Sequence, residues 1–234
     1  MAVDNISLAV AAGALHAIIG PNGAGKSTFF NLITGFFAPT SGRIVFDGQD
    51  VSRFSATKRV GRGMARTFQV TEIFPELTVA MNLRIAVEAA TGHPMRPWLS
   101  GRNKAAIESR VEELMAQTGL SGKAGRLVGE LSHGDQRAVE MGLALALRPK
   151  LLLLDEPTAG MGDQETEQIA QLMQRLHREQ GLTIVLIEHD MQIVFRLADI
   201  ITVLDRGTML ASGSPAEIAR NEAVQAAYLG KQEP

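Results

Sequence analysis

The sequence predicts an α/β fold in which short buried strands alternate with helices around a mostly parallel sheet. Two observations support this prediction. The segments Leu151–Asp155 and Thr183–Ile187 are uninterrupted apolar runs, typical of central parallel strands that are covered on both faces. A glycine-rich turn at residues 20–28 follows the apolar segment Leu15–Ile19 and precedes a helical pattern that ends at Gly35.

Shorter elements surround these central strands. Ile6, Leu8 and Val10 alternate with polar or small residues and predict a half-buried strand. Residues 43–46 precede an Asp-Gly turn and predict another, so we expect antiparallel β strands near the N-terminus. We also expect a short strand over residues 65–69. Three further segments predict a helix with apolar positions at 169, 172, 173 and 176, a hairpin over 200–211, and a C-terminal helix opened by a capping box at 214–217.

Residues 78–148 differ from the rest, because helical patterns there interrupt the alternation of strands and helices. Asn103 is predicted to cap a helix in which Ile107, Val111 and Leu114 follow helical spacing. Residues 92–101 contain two prolines and predict a loop. We therefore expect an inserted α-helical subdomain in this part of the chain.

Composition excludes several classes of protein. The chain has 234 residues, of which 45% are hydrophobic, enough for one large domain. Its net charge of −2 provides no basic field for nucleic acid, and the absence of cysteine excludes disulfides and thiolate metal sites. No apolar run reaches membrane-spanning length, and the first residues lack the pattern of a secretory signal. We expect a soluble chain that reaches a membrane only through a partner.

The glycine-rich turn matches the phosphate-binding pattern G-x-x-x-x-G-K-[ST]. Its glycines allow backbone N–H groups to face phosphate oxygens, while Lys26 reaches the β- and γ-phosphates and Ser27 holds Mg²⁺. The helix that follows adds its positive dipole end. The alternative is a glycine-rich turn before a helix, with no phosphate bound. The predicted phosphate-binding residues are Gly20, Asn22, Gly23, Gly25, Lys26, Ser27 and Thr28.

Two more segments carry candidate chemistry. Asp155 ends an apolar strand, where it can hold Mg²⁺, and Glu156 follows it in a position to polarise an attacking water. In isolation this pattern is also typical of a strand followed by an acidic turn. Ser132 and Gly134 precede a predicted helix, where they can bind an anion or simply cap the helix without a ligand.

The phosphate loop, the Leu131-Ser-His-Gly-Asp segment and the Leu-Leu-Asp-Glu-Pro segment together resemble the ATP-binding-cassette (ABC) ATPases over essentially the whole chain. The resemblance implies that residues 131–135 are the signature motif, in which Ser132 and Gly134 act on ATP bound to the other subunit of a head-to-tail dimer. It identifies Gln69 as the Q-loop glutamine, which helps to organise Mg²⁺ beside Ser27 and Asp155.

The same resemblance assigns two more segments. A lone histidine such as His189 is more often structural, but here it corresponds to the switch histidine that supports the γ-phosphate. Residues 159–163 stand where the D-loop crosses the dimer interface. The resemblance implies a single ABC ATPase domain over residues 1–234, with a nucleotide-binding core at 1–77 and 149–234 and a helical subdomain at 78–148. It makes Glu156, His189 and Gln69 the catalytic residues of an Mg²⁺-dependent ATPase.

More specific phrases point to one branch of the family. These are Asn31-Leu-Ile-Thr-Gly35, Arg66-Thr-Phe-Gln69, Glu156-Pro-Thr-Ala-Gly160, Ile187-Glu-His-Asp-Met191 and Ala227-Tyr-Leu-Gly230. They are similar to the ATPase subunits of branched-chain amino acid importers, with urea or amide importers as an alternative. The resemblance implies transmembrane permease subunits as partners, a paralogous or identical second ATPase subunit, and indirectly a substrate-binding protein. It also implies a cytoplasmic chain at the inner face of the plasma membrane.

The sequence departs from the family pattern at three places. No aromatic residue precedes Phe29, so a ring that stacks on adenine is either lost or lies before the given start, and its loss would cost on the order of 1 kcal/mol. His133 and Asp135 stand where glycine and glutamine are commonest in the signature motif. Gly162 stands where the D-loop usually carries aspartate.

A basic segment precedes Gln69, and residues 51–71 contain no acidic side chain. We interpret it first as a solvated face; contact with a permease loop or with anionic lipid is the alternative. Outside transport, the remaining functions are a soluble ABC ATPase acting on ribosomes or DNA, a P-loop kinase and a non-catalytic binding module. The basic residues are Arg53, Lys58, Arg59, Arg62 and Arg66.

Overall fold

A computed structural model of the chain describes residues 3–67, 73–91 and 101–229. The strands are β1 Leu15–Ile19, β2 Val45–Phe46, β3 Gln49–Asp50, β4 Met64–Arg66, β5 Leu151–Asp155, β6 Thr183–Ile187, β7 Ile200–Asp205 and β8 Thr208–Gly213. The helices are α1 Lys26–Thr34, α2 Ala56–Val60, α3 Val79–Ala90, α4 Gly101–Thr118, α5 His133–Ala146, α6 Asp163–Arg178, α7 Met191–Leu197, α8 Pro215–Ala219 and α9 Glu222–Leu229.

The main sheet has six strands in the order β4-β5-β6-β1-β7-β8, and every neighbouring pair is parallel except β7 and β8. Strands β1 and β5 are buried along their whole length, as expected for strands covered on both faces. The fold class predicted from the sequence is confirmed. Because the strands are parallel, the chain leaves β1, β5 and β6 at the same edge of the sheet.

The antiparallel strands near the N-terminus include the strand predicted over residues 43–46, of which Val45 and Phe46 form β2. They are the hairpin of β2 and β3, joined by the predicted turn at Asp47 and Gly48. The predicted strand at Ile6, Leu8 and Val10 is wrong, because the structure assigns no strand there. Those side chains do alternate inward and pack against the core, so the predicted burial pattern is confirmed, although no strand in the described part of the chain pairs with this segment.

Helices α3, α4 and α5 pack against one another, and each contributes buried residues to the same core, for example Leu83, Leu114 and Met141. Helix α4 begins at Gly101, so the prediction that Asn103 caps it is wrong, and Asn103 lies within its first turn. The predicted loop at residues 92–101 lies outside the described residues, except for its last residue. None of the described helices is long and apolar enough to span a membrane.

The interpretation of the basic segment as a solvated face is wrong for Arg59, which is only 1% exposed. Its guanidinium donates to the backbone oxygens of Leu32 (2.6 Å) and Ile33 in the last turn of α1, and to Ser52 and Phe54 (both 3.1 Å). A cation at this end of a helix satisfies carbonyls that have no helical partner and interacts favourably with the helix dipole. Arg59 therefore ties the segment before β4 to the helix that follows the phosphate loop.

Candidate active site

The phosphate loop connects β1 to α1, and its backbone requires glycine at two positions. Gly20 has φ 151°, and a Cβ atom at this residue would lie 2.1 Å from the Leu204 backbone oxygen. Gly25 has φ 99° and caps the N-terminus of α1 in the left-handed region. Asn22, Gly23 and Ser27 are exposed, so the predicted loop presents these residues to solvent.

Lys26 begins α1, and its side chain folds back over the loop. The Lys26 Nζ donates to the backbone oxygens of Gly20 (2.7 Å) and Pro21 (3.2 Å). Burial lowers the pKa of Lys26, and the nearby carboxylates of Glu156 and Asp155 oppose that change. The amine is therefore held at the centre of the loop, close to the acidic pair at the end of β5.

Asp155 is the last residue of β5 and is only 1% exposed. Its Oδ2 atom accepts a hydrogen bond from the Arg66 guanidinium at 2.7 Å, and the same guanidinium donates to Asn31 Oδ1 at 2.7 Å. Burial raises the pKa of Asp155, while the hydrogen bond and charge of Arg66 oppose that shift. Its Oδ1 atom is buried and accepts no hydrogen bond from the described residues.

Glu156 and His189 meet just beyond the ends of β5 and β6. The Glu156 Oε1 atom lies 2.9 Å from His189 Nε2, and both side chains are partly exposed, at 28% and 46%. The backbone of Glu156 has φ 48°, a left-handed conformation that is uncommon for a residue with a side chain. Its N–H donates to the Ile187 oxygen at 2.9 Å, which extends the strand pairing by one bond.

The side-chain oxygen atoms near the phosphate loop suit Mg²⁺, which prefers oxygen ligands and keeps several waters and phosphate oxygens in its coordination shell. The buried Asp155 Oδ1 atom has an unused acceptor site, and Ser27 is exposed in the first turn of α1. No group of three or more acidic, histidine or cysteine side chains that could hold a metal ion occurs among the described residues. Nucleotide phosphates would supply further oxygen ligands to a magnesium ion at this place. Gln69, the third predicted magnesium ligand, lies outside the described residues.

Ser132 and Gly134 are engaged with their own chain. The Ser132 hydroxyl caps α5 by accepting from the Asp135 N–H at 3.2 Å, and the Gly134 N–H donates to Glu165 Oε1 at 3.2 Å. The bond from Gly134 is the largest of several contacts that lower the pKa of Glu165. Across the described ranges, no hydrogen bond joins these two residues to the phosphate loop.

The departures from the family pattern have local partners. The Asp135 carboxylate forms an ion pair with Lys123, which provides a countercharge for the anion in the signature segment. Gly162 is the N-cap of α6 and makes no side-chain capping bond, and Asp163 is the first residue of that helix. Asp163 therefore contributes a negative charge to the first turn, where the helix dipole favours it.

Sequence reasoning did not assign three residues that contact this site, namely Arg66, Glu165 and Glu188. Arg66 belongs to the basic segment and to the segment Arg66-Thr-Phe-Gln69, but neither pattern predicts its contact with Asp155. Glu188 carries a signal that could have found it, because it follows a buried apolar strand as Glu156 does. Glu165 has no such signal, since its contact with Gly134 joins residues that are 31 positions apart.

Comparisons with known proteins agree with this geometry. A family model described as "ABC transporter" matches residues 3–159, and a model described as "Branched-chain amino acid ATP-binding cassette transporter" matches residues 208–234. The branched-chain amino acid transport ATP-binding protein BraF of Pseudomonas aeruginosa is 37% identical over 239 residues, which cover 99% of this chain and 92% of BraF.

Two solved structures extend the comparison. A crystal structure of the ADP conformation of an ATP-binding cassette from an ABC transporter has a TM-score of 0.82 and 31% identity, covering 98% of this chain and 93% of the other. A dimeric cassette in a post-hydrolysis state with ADP and phosphate has a TM-score of 0.74 and 28% identity, covering 92% and 90%. The chain therefore belongs to the ATP-binding-cassette family and is an ATPase of the ABC transporter type.

Proposed function

We propose that this chain hydrolyses ATP to power an importer of branched-chain or other amino acids. The observation that carries the proposal is the pair of Glu156 and His189, 2.9 Å apart at the sheet edge where Lys26 and Asp155 also lie. The transported substrate follows from BraF and from the C-terminal match at residues 208–234. That match also favours amino acids over urea or amides.

The site residues have separate roles in binding and hydrolysing ATP. Lys26 and the backbone N–H groups of residues 23–28 bind the phosphates, because the ammonium neutralises phosphate charge and the N–H groups lie at the positive end of the α1 dipole. Glu156 orients and polarises the attacking water, and His189 contacts the γ-phosphate and holds the Glu156 carboxylate in place. Bound Mg²⁺, held by Ser27, Asp155 and Gln69, would neutralise charge that develops on the phosphates.

A second ATPase subunit completes each site. Ser132 and Gly134 make no hydrogen bond with the phosphate loop of their own chain within the described part, which supports their action on ATP held by a partner. The partner is an identical or paralogous chain, and the dimeric cassette structure shows that such cassettes associate. Within one chain, residues 1–77 and 149–234 form the nucleotide-binding core and residues 78–148 the helical subdomain.

The remaining partners lie at the membrane. Permease subunits receive the movement of the dimer through the segment around Gln69, and a substrate-binding protein acts indirectly through them. This places the chain in the cytoplasm, attached to the inner face of the plasma membrane through the permease. Binding of nucleic acid is not part of the proposal, because the net charge is −2.

Glu156→Gln tests the catalytic assignment. We expect it to bind ATP with wild-type affinity while kcat falls roughly 100-fold or more, because the amide cannot polarise water. Glu167→Gln is the matched control, since Glu167 is an exposed carboxylate paired with Arg196 outside the site. Lys26→Ala should lose ATP binding itself. Wild-type turnover by Glu156→Gln would contradict the assignment.

A further inference from the structure

We propose that Glu188 is a positioning residue that holds the Glu156 carboxylate and the His189 imidazole in their working arrangement. The inference rests on the roles proposed above for Glu156 and His189. Glu188 directly follows β6 and is only 3% exposed, so its carboxylate does not face solvent. It makes no contact with the phosphate loop in the hydrogen bonds of the described residues, and its action is therefore through its neighbours.

The strand pairing that supports the site stops just before the two functional side chains. Strands β5 and β6 are paired up to Asp155 and Ile187, and one further bond runs from the Glu156 N–H to the Ile187 oxygen. Beyond that bond the backbone of Glu156 turns into the left-handed region, and no further backbone hydrogen bond joins the two segments among the described residues. Another connection is needed to fix the distance between the loops that follow.

The carboxylate of Glu188 supplies that connection, with one oxygen for each loop. Its Oε1 atom accepts from the Thr158 N–H at 3.0 Å and from the Thr158 hydroxyl at 2.5 Å. Its Oε2 atom accepts from the His189 N–H at 2.8 Å and from the Asp190 N–H at 3.4 Å. Thr158 is two residues after Glu156, so the carboxylate joins the backbone on one side of the catalytic pair to the backbone on the other.

The chemistry of this contact requires a carboxylate. All four groups that face Glu188 are donors, and an ionised carboxylate is acceptor-only on both oxygens. A glutamine of the same shape would direct its NH₂ group at donors of one of the two loops. The described ion pairs include none with Glu188, so these donors provide the compensation that a buried negative charge needs.

A second contact, from helix α5, holds the same turn. Arg137 on α5, the helix that Ser132 caps, donates to the Pro157 backbone oxygen at 3.0 Å. The left-handed backbone of Glu156 persists only where its surroundings over-determine it, and Glu188 and Arg137 provide two such constraints on the next two residues. The 2.9 Å contact between Glu156 and His189 is therefore set by the backbone around it.

The test compares three variants by ATPase kinetics and by binding of a fluorescent ATP analogue with Mg²⁺. Glu188→Gln and Thr158→Val each remove part of the contact. We expect kcat to fall roughly 10- to 100-fold in both, because small displacements of catalytic groups have effects of that size. KM and Kd should change by less than about twofold, because phosphate contacts are untouched. Thr158→Ser keeps the hydroxyl and should restore most of the lost kcat.

Asp199→Asn is the matched control. Asp199 accepts the Leu15 N–H at 2.9 Å at the opposite edge of the sheet, and its change from carboxylate to amide should leave kcat unaltered. A wild-type kcat in Thr158→Val would overturn the inference. A parallel decrease in kcat, ATP affinity and thermal stability would also overturn it, because that result indicates only a folding defect. Measuring Glu156→Gln alongside separates the two proposals. If Glu156→Gln is inactive while Glu188→Gln is active, only the role of Glu188 fails; if Glu156→Gln is active, the proposed catalytic roles fail.

Discussion

The ion pair between Arg66 and Asp155 gives the most quantitative prediction. The two side chains are 12% and 1% exposed, and their atoms lie 2.7 Å apart. Replacing Arg66 with methionine leaves the Asp155 charge buried without this partner, which typically costs about 3–5 kcal/mol. Burial already raises the pKa of Asp155, so protonation of its carboxyl relieves part of the cost. We therefore expect Arg66→Met to lower the free energy of unfolding by about 3 kcal/mol at pH 7.

Arg66 also contacts Asn31 and the rings of Phe30 and Phe36, so a double-mutant cycle is needed to isolate the ion pair. The cycle combines Arg66→Met with Asp155→Asn, and urea unfolding is measured without nucleotide and with EDTA. We expect a coupling free energy of about 2 kcal/mol, because the effects of two substitutions on residues in contact are not additive. Additivity within about 0.5 kcal/mol would refute the reasoning.

Two further predictions concern buried positions. Burial lowers the pKa of His16 from 6.5 to about 4. Between pH 6.5 and pH 4 the folded protein therefore binds fewer protons than the unfolded chain, and its free energy of unfolding falls by about 3 kcal/mol as the pH is lowered through this range. His16→Gln keeps a partner for Thr202 and should flatten this acid dependence in urea unfolding at pH 7 and pH 4.5; an unchanged slope would contradict it. Gly20→Ala places a Cβ atom 2.1 Å from the Leu204 oxygen and should weaken binding of a fluorescent ATP analogue roughly 100-fold, whereas Gly122→Ala, which meets no atom within 4 Å, should bind normally.

The elements that the sequence predicted well are those with a local pattern. The phosphate loop is specified by its own glycines, and the central strands by runs of apolar residues that match their burial along β1, β5 and β6. The predicted strand at residues 6–10 shows the limit of this reasoning. Alternation identified the inward-facing side chains correctly, but whether a ladder forms depends on a partner strand that a local pattern does not reveal.

The supporting contacts of the site could not be predicted, because they join distant positions. Arg66 and Asp155 are 89 residues apart, and Glu188 and Thr158 are 30 apart. Arg59 illustrates the same difficulty. A charge run usually lies on a solvated face, yet this arginine is buried because backbone carbonyls at the end of α1 need donors. The sequence shows that the arginine is present in a charge run, whereas only the fold shows which groups it contacts.

The central claim is that ATP is hydrolysed in a site that two chains share, with Glu156 as the residue that polarises water. Sedimentation velocity of Glu156→Gln with ATP and Mg²⁺ tests this claim most directly, because a chain that binds ATP without hydrolysing it should remain closed on its partner. We predict a stable dimer with ATP and a monomer with ADP. A variant that saturates with ATP yet sediments as a monomer at every concentration would contradict the account.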